Sequence, residues 1–215
     1  MIYSYSAFKN GAYEVQNKEG KFGYVRLNGE IVIPVIYDKI NSFDENCLVK
    51  KDNKYGIINK EGKKLTEIDY DNIISMNMTY SEGKKRYLAQ KNNKSYIINE
   101  NGKIIQTKYR SIKPFVNFYK RFYFIVENKK GKKGLIDITG KVIIPAEFDD
   151  VIFKRNNFTV VKNDNKEGIY HILKKKLILP VDYDKIILND KGFYAIKDNN
   201  FYRIRIEEKV SLIKL

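Results

Sequence analysis

The sequence is poor in the residues that metal and catalytic sites use most. Its 215 residues contain one cysteine, one histidine and no tryptophan. A single cysteine, Cys47, excludes an intrachain disulfide, and its apolar neighbours predict a small core residue. One cysteine and one histidine far apart in sequence form no metal cluster. We therefore predict neither a metal nor a cofactor.

Long apolar runs and helical periodicity are also missing. No segment reaches the apolar length of a membrane-spanning helix. The first nine residues lack the basic and apolar regions of a secretory signal. No long stretch places apolar residues at helical spacing, whereas tyrosine and phenylalanine are frequent. We expect a soluble, cytoplasmic protein of the all-β class.

The sequence contains, instead, an internal repeat. A block such as Lys21-Phe22-Gly23-Tyr24-Val25 is followed by a second block such as Ile31-Val32-Ile33-Pro34-Val35-Ile36-Tyr37-Asp38. A fixed period of this size indicates similar units, each of which needs a neighbour to bury its apolar face. The glycine position of successive repeats, at steps of 33 to 39 residues, is assigned to Gly23, Gly56, Ser95, Gly134, Gly168 and Tyr202.

Each repeat is predicted to be a three-stranded antiparallel meander. In the second repeat the strands are predicted at 47–50, 55–59 and 64–68. Asn and Asp pairs such as Asp52-Asn53, and pairs such as Glu61-Gly62, are typical of the hairpin turns between strands. A Pro-x-x-aromatic-Asp corner ends the repeat, where a strand needs no ladder donor.

The repeat extends through the chain and predicts one β-repeat domain, 1–215. The repeats are assigned to about 12–46, 47–86, 87–121, 122–157 and 158–191, with a partial sixth at 192–215. The predicted fold is all-β, with the meanders stacked as an open twisted array. A closed propeller-like ring is the alternative, since five or six units suit either arrangement.

The two blocks together resemble the bacterial WG-repeat (KWG) family over roughly residues 12–206. The resemblance implies β-repeats and an interaction role, and it brings no catalytic residues. The chain would be a divergent member, because the tryptophan of the family is absent. The residues assigned to its position are Phe22, Tyr55, Lys94, Lys133, Glu167 and Phe201.

Catalysis has few candidate residues. The acids Asp38, Asp71, Asp149 and Asp184 recur at one place in the repeat, so a corner-forming Asx turn explains them better than a catalytic pair does. Cys47 and His171 would form a nucleophile pair only if the fold brought them together. We predict that the chain is not an enzyme.

The net charge of +15 has two interpretations. It is either compositional, since lysine at hairpin tips keeps a β-protein soluble, or an electrostatic footprint for a polyanion. Stacked repeats would align these tips as a lysine ridge for single-stranded RNA or DNA. The lysine ridge consists of Lys50, Lys51, Lys54, Lys91, Lys94, Lys129, Lys130, Lys132, Lys133, Lys162 and Lys166.

Two insertions in the middle repeats predict a protein-binding surface. Insertions in adjacent repeats emerge on one face, and both combine aromatic or Met side chains with basic residues. We therefore predict a protein of bacterial or phage origin that binds another protein or nucleoprotein. It would act as an adaptor, or as an inhibitor of a nucleic-acid-processing machine. The residues of these middle insertions are Met76, Met78, Tyr80, Lys84, Lys85, Arg86, Phe118, Tyr119, Lys120 and Arg121.

Overall fold

The computed structural model describes residues 3–7, 11–43, 45–76, 85–106, 108–116, 122–155, 157–189, 191–206 and 210–215. All regular elements among them are β-strands, and paired strands run antiparallel. The prediction of an all-β fold of repeated antiparallel meanders is confirmed. Among these residues, no helix is long and apolar enough to cross a membrane. The chain folds as two compact units, Met1–Thr107 and Lys108–Leu215.

The N-terminal unit contains three sheets, which correspond to repeats 1 to 3. Their strand orders are β1-β2-β3-β4, β5-β6-β7 and β11-β10-β9-β8. The strands are β1 (Tyr3–Ala7), β2 (Ala12–Gln16), β3 (Phe22–Arg26), β4 (Ile31–Tyr37), β5 (Lys39–Phe43), β6 (Asn46–Lys51), β7 (Lys54–Asn59), β8 (Asn72–Met76), β9 (Arg86–Lys91), β10 (Lys94–Asn99) and β11 (Ile104–Gln106).

The C-terminal unit contains three four-stranded sheets, which correspond to repeats 4 to 6. Each sheet is a simple meander in chain order. The strands are β12 (Ser111–Val116), β13 (Phe122–Glu127), β14 (Lys133–Asp137), β15 (Val142–Phe148), β16 (Asp150–Arg155), β17 (Phe158–Asn163), β18 (Lys166–His171), β19 (Lys176–Tyr183), β20 (Lys185–Asn189), β21 (Gly192–Lys197), β22 (Asn200–Ile206) and β23 (Val210–Lys214).

The predicted hairpin turns form where the local chemistry favours them. Asp52 and Asn53 adopt φ values of 50° and 61°, the left-handed region that Asn and Asp tolerate. The second turn of the repeat places a glycine at positive φ, as at Gly62 with φ 82°. Equivalent left-handed pairs occur at Asn92 and Asn93, Asp164 and Asn165, and Asp198 and Asn199.

Two strand assignments differ from those expected. Five sheets contain a strand immediately after the corner of the preceding repeat, such as β16, which the sequence did not predict. The predicted strand at 64–68 does not form. The amides of Leu65 and Thr66 both donate to the carbonyl oxygen of Ile57, at 2.8 and 3.1 Å, and this irregular pairing replaces a ladder. Repeat 2 lacks the proline-bearing block that forms the last strand in repeats 1, 4 and 5.

The repeat glycine permits a bulge in the last strand of the sheet. A Cβ on Gly134 would lie 2.5 Å from the carbonyl oxygen of Ile144 and 2.7 Å from the amide of Ala146. The register between β14 and β15 shifts at this point, beside Pro145. The glycine is therefore required by a close backbone approach. The same combination occurs at Gly23 with Pro34 and at Gly168 with Pro180.

The pairing corrects one position of the sequence alignment. Tyr96 lies opposite Ala89, as Gly56 lies opposite Val49, so Tyr96 stands at the glycine position and Ser95 at the tryptophan position. The neighbouring Lys94 is then the equivalent of Lys54.

The core lies between successive sheets. In the C-terminal unit, Val160 and Ile169 of repeat 5 pack against Ile186 and Ala195 of repeat 6. A second cluster joins repeats 4 and 5, and two further clusters join repeats 1 to 3 in the N-terminal unit. Within each unit, successive sheets thus bury apolar residues against one another, as a repeat architecture requires.

Candidate binding surfaces

A lysine and an aspartate form a clip that recurs in four repeats. In repeat 4, Lys132 Nζ lies 2.7 Å from Asp149 Oδ1, while Asp149 Oδ2 accepts the amide of Asp164 at 2.9 Å. Asp164 belongs to the hairpin turn of repeat 5, so the clip connects consecutive repeats. The other clips are Lys21–Asp38 with Asp52, Lys54–Asp71 with Asn92, and Lys166–Asp184 with Asp198.

The clips hold their aspartates in the charged form. The hydrogen bond from Lys132 is the main cause that lowers the pKa of the Asp149 carboxyl, and the amide of Asp164 adds to it. The pKa values of Asp38, Asp71 and Asp184 are lowered in the same way by their lysines. These acids are structural anions with no free proton for acid catalysis near neutral pH.

The prediction of a local Asx turn at these aspartates is wrong. Their carboxylates accept amides 14 to 21 residues further along the chain, at the next hairpin. Local Asx turns are formed by other residues instead. Asn59, for example, accepts the amides of Glu61 and Lys63 at 3.2 and 2.8 Å. Sequence reasoning found the recurrence of the acids and missed their lysine partners, because the pairs are 17 or 18 residues apart.

Five lysines of the lysine ridge form ion pairs with aspartates, some of them within the clips. Lys54 and Lys91 of the N-terminal unit form ion pairs with Asp71 and Asp69. In the C-terminal unit, three further ridge lysines, Lys132, Lys133 and Lys166, pair with aspartates. The six ridge lysines without an ion pair in the described part of the chain are Lys50, Lys51, Lys94, Lys129, Lys130 and Lys162.

The middle insertions lie largely outside the described residues. Two of the described members are buried: Met76 is 9% exposed and Arg86 is 6% exposed. Arg86 donates to Glu100 Oε2 at 2.6 Å and to the carbonyl oxygen of Lys85 at 2.7 Å. The side chains of Met76 and Arg86 are therefore buried and are not part of an exposed binding surface. The members outside the described residues, for which the protein-binding surface stays a prediction, are Met78, Tyr80, Lys84, Phe118, Tyr119, Lys120 and Arg121.

The candidate nucleophile pair lies in structural positions. Cys47 is fully buried in the N-terminal unit. His171, in the C-terminal unit, accepts the amide of Lys174 at Nδ1 over 3.1 Å, and its ring lies edge-on to Phe158. Within the described residues, no group of three or more His, Cys, Asp or Glu residues could hold a metal ion.

The last sheet presents a row of side chains on its outer face. Ile187 lies opposite Tyr194, Tyr194 opposite Arg203, and Arg203 opposite Ile213, which places the four on one face. Ile187 and Ile213 are each 37% exposed, and Arg203 is exposed. Phe201, two residues before Arg203 and on the same face, is 53% exposed. We name these five residues the outer row.

The equivalent row of repeat 5 is covered. There Ile152, Val160, Ile169 and Leu179 lie opposite one another in the same order, and they pack against the sheet of repeat 6. The outer row thus occupies a position that serves elsewhere as a packing surface. Sequence reasoning missed it, although one signal was present. The position of Arg203 holds an apolar or aromatic residue in the five earlier repeats, namely Tyr24, Ile57, Ile97, Leu135 and Ile169.

A model of a protein family, described as WG containing repeat, matches residues 22–55, 55–94 and 134–166. The first two stretches begin at Phe22 and Tyr55, at the tryptophan position, and the third begins at the bulge-forming Gly134. The chain is a WG-repeat protein. No curated protein matches its sequence.

Solved structures that resemble this WG-repeat protein do so at low identity. KlHsv2 with loop 6CD replaced by a Gly-Ser linker is 8% identical, with TM-score 0.37, covering 97% of this chain and 83% of that one. A eukaryotic initiation factor is 12% identical, with TM-score 0.43, covering 95% and 63%. The AfRom2 CNH domain is 11% identical, with TM-score 0.34, covering 99% and 83%. At these identities and TM-scores, none of the three structures supports a statement about the function of this chain.

The tryptophan position of this WG-repeat protein contacts the start of the following sheet. Where repeat 4 has Lys133, its Nζ lies 2.8 Å from Asp150 Oδ1. Where repeat 5 has Glu167, the charges are exchanged: Glu167 Oε1 lies 2.9 Å from Lys185 Nζ, and Oε2 accepts the amide of Ile186 at 2.7 Å. Ion pairs thus replace the tryptophan in these two repeats.

Proposed function

We propose that this WG-repeat protein is a non-enzymatic binding protein that holds a partner protein on the outer row. One observation carries the proposal. Tyr194, Arg203 and Ile213 occupy positions whose equivalents in repeat 5 are fully packed, yet Tyr194 is only half-buried and the other four residues of the outer row are exposed. An exposed apolar patch on a repeat face is typical of an interaction site.

The chemistry of the outer row favours an acidic protein surface that carries apolar side chains. Tyrosine, phenylalanine and arginine are the residues that contribute most to binding at protein interfaces. Arg203 lies between apolar neighbours, and Arg205 follows on the same face. The chain as a whole carries +15, which would attract an acidic partner and raise its association rate.

A binding protein of this kind acts by remaining bound to its partner, without changing the partner chemically. Holding a partner on the outer row would either connect it to a second protein, as an adaptor does, or cover its working surface, as an inhibitor does. The clips support both roles, because they connect successive sheets and so hold the packing face of each repeat in place.

Capture and direct binding test the proposal together. Partners captured on the immobilised full chain would be purified, and their affinity for the wild type measured by calorimetry. We expect an acidic partner whose affinity falls at least tenfold in Arg203→Glu and in Phe201→Ala, since both substitutions alter the centre of the outer row. Lys141→Glu, an exposed position in repeat 4 with the same change of charge, is the matched control.

Two results would reject the outer row as the site. One is that no purified partner binds the wild type. The other is that Arg203→Glu and Lys141→Glu weaken binding equally. The loss of affinity would then come from the change in net charge and not from the outer row.

A second candidate function, binding of single-stranded nucleic acid, is favoured by the six ridge lysines without an ion pair. A lysine held by an aspartate contributes little to phosphate binding, because its charge is already compensated. The double substitution of Lys129 and Lys130 by Ala should therefore lower the salt dependence of RNA affinity by about one unit of log–log slope per lysine. The matched substitution of Lys132 and Lys133, both paired with aspartates, should change it less.

Fluorescent single-stranded RNA, single-stranded DNA and duplex DNA are the probes, titrated against salt. Equal slopes for the wild type and both double variants would exclude the lysine ridge as a nucleic-acid site.

A further inference from the structure

The last strand of the sixth sheet, β23, differs from the last strands of the other four-stranded sheets. We propose that β23 is an assembly site at which two copies of the chain pair edge to edge, antiparallel, into one continuous eight-stranded sheet. The proposal concerns the backbone edge of the sheet, and it does not depend on the partner protein of the outer row.

Proline or short length protects the last strands of the other four-stranded sheets, which are edge strands like β23. β4, β15 and β19 contain Pro34, Pro145 and Pro180, and β11 has only three residues. Proline and short edge strands are the usual means by which natural sheets avoid pairing with another chain. β23, Val-Ser-Leu-Ile-Lys, has five residues and no proline.

β23 exposes an apolar side chain on each of its two faces. Leu212, on the face of Ile204, is 38% exposed, and Ile213, on the face of Arg203, is 37% exposed. An exposed strand with apolar residues on both faces is suited to addition of another strand, because the new strand covers both faces at once.

The hydrogen-bond pattern shows which backbone groups of β23 face outward. The amide of Leu215 donates to the carbonyl oxygen of Phe201 at 2.9 Å, so these two residues form a hydrogen-bonded pair. Hydrogen-bonded and non-hydrogen-bonded pairs alternate along an antiparallel ladder. Ser211 and Ile213 therefore direct their backbone groups toward β22. The residues that direct theirs to the free edge are Val210, Leu212 and Lys214.

This pattern is self-complementary about Leu212. A two-fold axis at Leu212 places it opposite its own copy, and it places Val210 opposite Lys214 of the partner copy. All three are residues whose backbone groups face outward, so each copy can donate three amides to the other. One surface patch then serves both copies, as an isologous interface requires.

The charges at this edge permit the pairing. The one charged side chain of β23, Lys214, lies opposite a valine in this register, so no like charges face each other directly. The net charge of +15 on each copy opposes association at long range, and this repulsion is screened beyond about 8 Å at physiological salt. Association should therefore strengthen as salt rises, opposite to the behaviour of a polyanion complex.

Sedimentation velocity of the full chain tests the proposal. We expect a reversible dimer, twice the 25.3 kDa of one chain, with a Kd of about 10 to 100 µM, because the pairing of two short strands buries little area. The dimer fraction should rise between low and physiological salt. Leu212→Lys, which puts two like charges on the two-fold axis, should abolish the dimer at all concentrations tested.

Leu177→Lys is the matched control. Leu177 lies on β19, the outermost strand that carries Pro180, and is 41% exposed, so the same change there should leave the dimer intact. Circular dichroism would establish that both variants are folded. A wild-type chain that stays monomeric up to roughly 1 mM would overturn the proposal and leave the edge to a strand of another protein. A dimer that survives Leu212→Lys would overturn it equally.

Discussion

At the residue scale, two of the buried polar side chains, Glu167 and Thr159, differ in whether their polar atoms have hydrogen-bond partners. Glu167 satisfies both carboxylate oxygens, one with the Lys185 ammonium and one with the Ile186 amide. The Thr159 hydroxyl is fully buried and has no hydrogen-bond partner among the residues that the structure describes. It lies beside a cavity of about 10 Å³ whose other lining residues are apolar, so a water there would lack partners of its own.

Replacing Thr159 by valine should stabilise the protein. The substitution keeps the shape of the side chain and removes a hydroxyl that was desolvated without a hydrogen bond. The free energy of unfolding should rise by about 1 kcal/mol, measured by urea denaturation. Thr159→Ser is the control: it keeps the hydroxyl, enlarges the cavity and should lower the free energy of unfolding. A valine variant no more stable than the wild type would contradict this account.

Protonation of His171 should destabilise the fold. Burial lowers the pKa of His171 below its ordinary value of 6.5, and the charges of Lys174 and Lys176 add to the effect. Below that ordinary value the unfolded chain binds the proton more readily than the folded chain does. The stabilising contribution of neutral His171 is therefore complete above pH 6.5 and declines as the pH falls.

A variant separates this effect from general acid sensitivity. Asn59 occupies the same position in repeat 2 and accepts two turn amides without titrating. His171→Asn should therefore match the wild type in thermal stability near neutral pH and exceed it near about pH 5. Parallel melting curves for the two proteins across this range would refute the role of His171.

At the element scale, the proline-bearing strand and the repeat glycine form one unit. The strand bulges toward the glycine, whose missing side chain leaves room for the backbone of the bulge. In repeats 3 and 6 the glycine position holds Tyr96 and Tyr202, and there the last strand has no proline. A side chain thus stands at this position where the last strand has no bulge opposite it, and it is incompatible with that bulge.

Gly134→Ala should lower the free energy of unfolding by about 3 kcal/mol, because the new Cβ meets backbone atoms that cannot rotate away. Gly131→Ala provides the comparison. Gly131 has φ 79°, and a Cβ added there would meet no neighbouring atom. Its replacement should lower the free energy of unfolding by only about 1 kcal/mol, the strain of an alanine in the left-handed region. Chemical denaturation measures both. Similar losses for the two variants would show that close approach is not what requires Gly134.

At the scale of the whole molecule, clips connect consecutive repeats within each unit. Repeat 3 lacks the clip: its acid position holds Arg110, which pairs with Glu127. The clips also distribute charge, because they compensate four lysines of a strongly basic chain at the turns where its positive charge accumulates.

The four clips should make the protein sensitive to acid. Their aspartates have lowered pKa values, so their contribution to stability is present above the ordinary value of 3.8 and is lost as the pH falls through the folded values. Replacing all four by Asn should lower the melting temperature at neutral pH and flatten its fall between neutral pH and about pH 2. The substituted positions are Asp38, Asp71, Asp149 and Asp184.

The turn residues Asp52, Asp164 and Asp198 provide the control, because repeat 3 already has Asn92 at their position. Replacing these three by Asn should leave most of the acid dependence in place. Equal flattening in both variants would assign the acid dependence to net charge and not to the clips.

Local chemistry explains what could be predicted. The left-handed turns at Asp52-Asn53 and at Gly62 depend only on the residues of the turn, so the sequence indicated them correctly. Pairs separated by 17 or more residues, such as Lys132 with Asp149, depend on strand register and were missed. The loss of the last strand in repeat 2 has the same cause, since Thr66 pairs irregularly with Ile57 only in the folded sheet.

The period of the glycine and proline blocks by itself determined the all-β class and the WG-repeat family, because such a period is a property of the chain alone. Which faces are covered was decided only by the tertiary structure. Ile169 and Arg203 stand at one position of the repeat, and only the stacking of sheets buries the first and leaves the second exposed. Exposure depends on neighbours in space, and a sequence pattern specifies only neighbours along the chain.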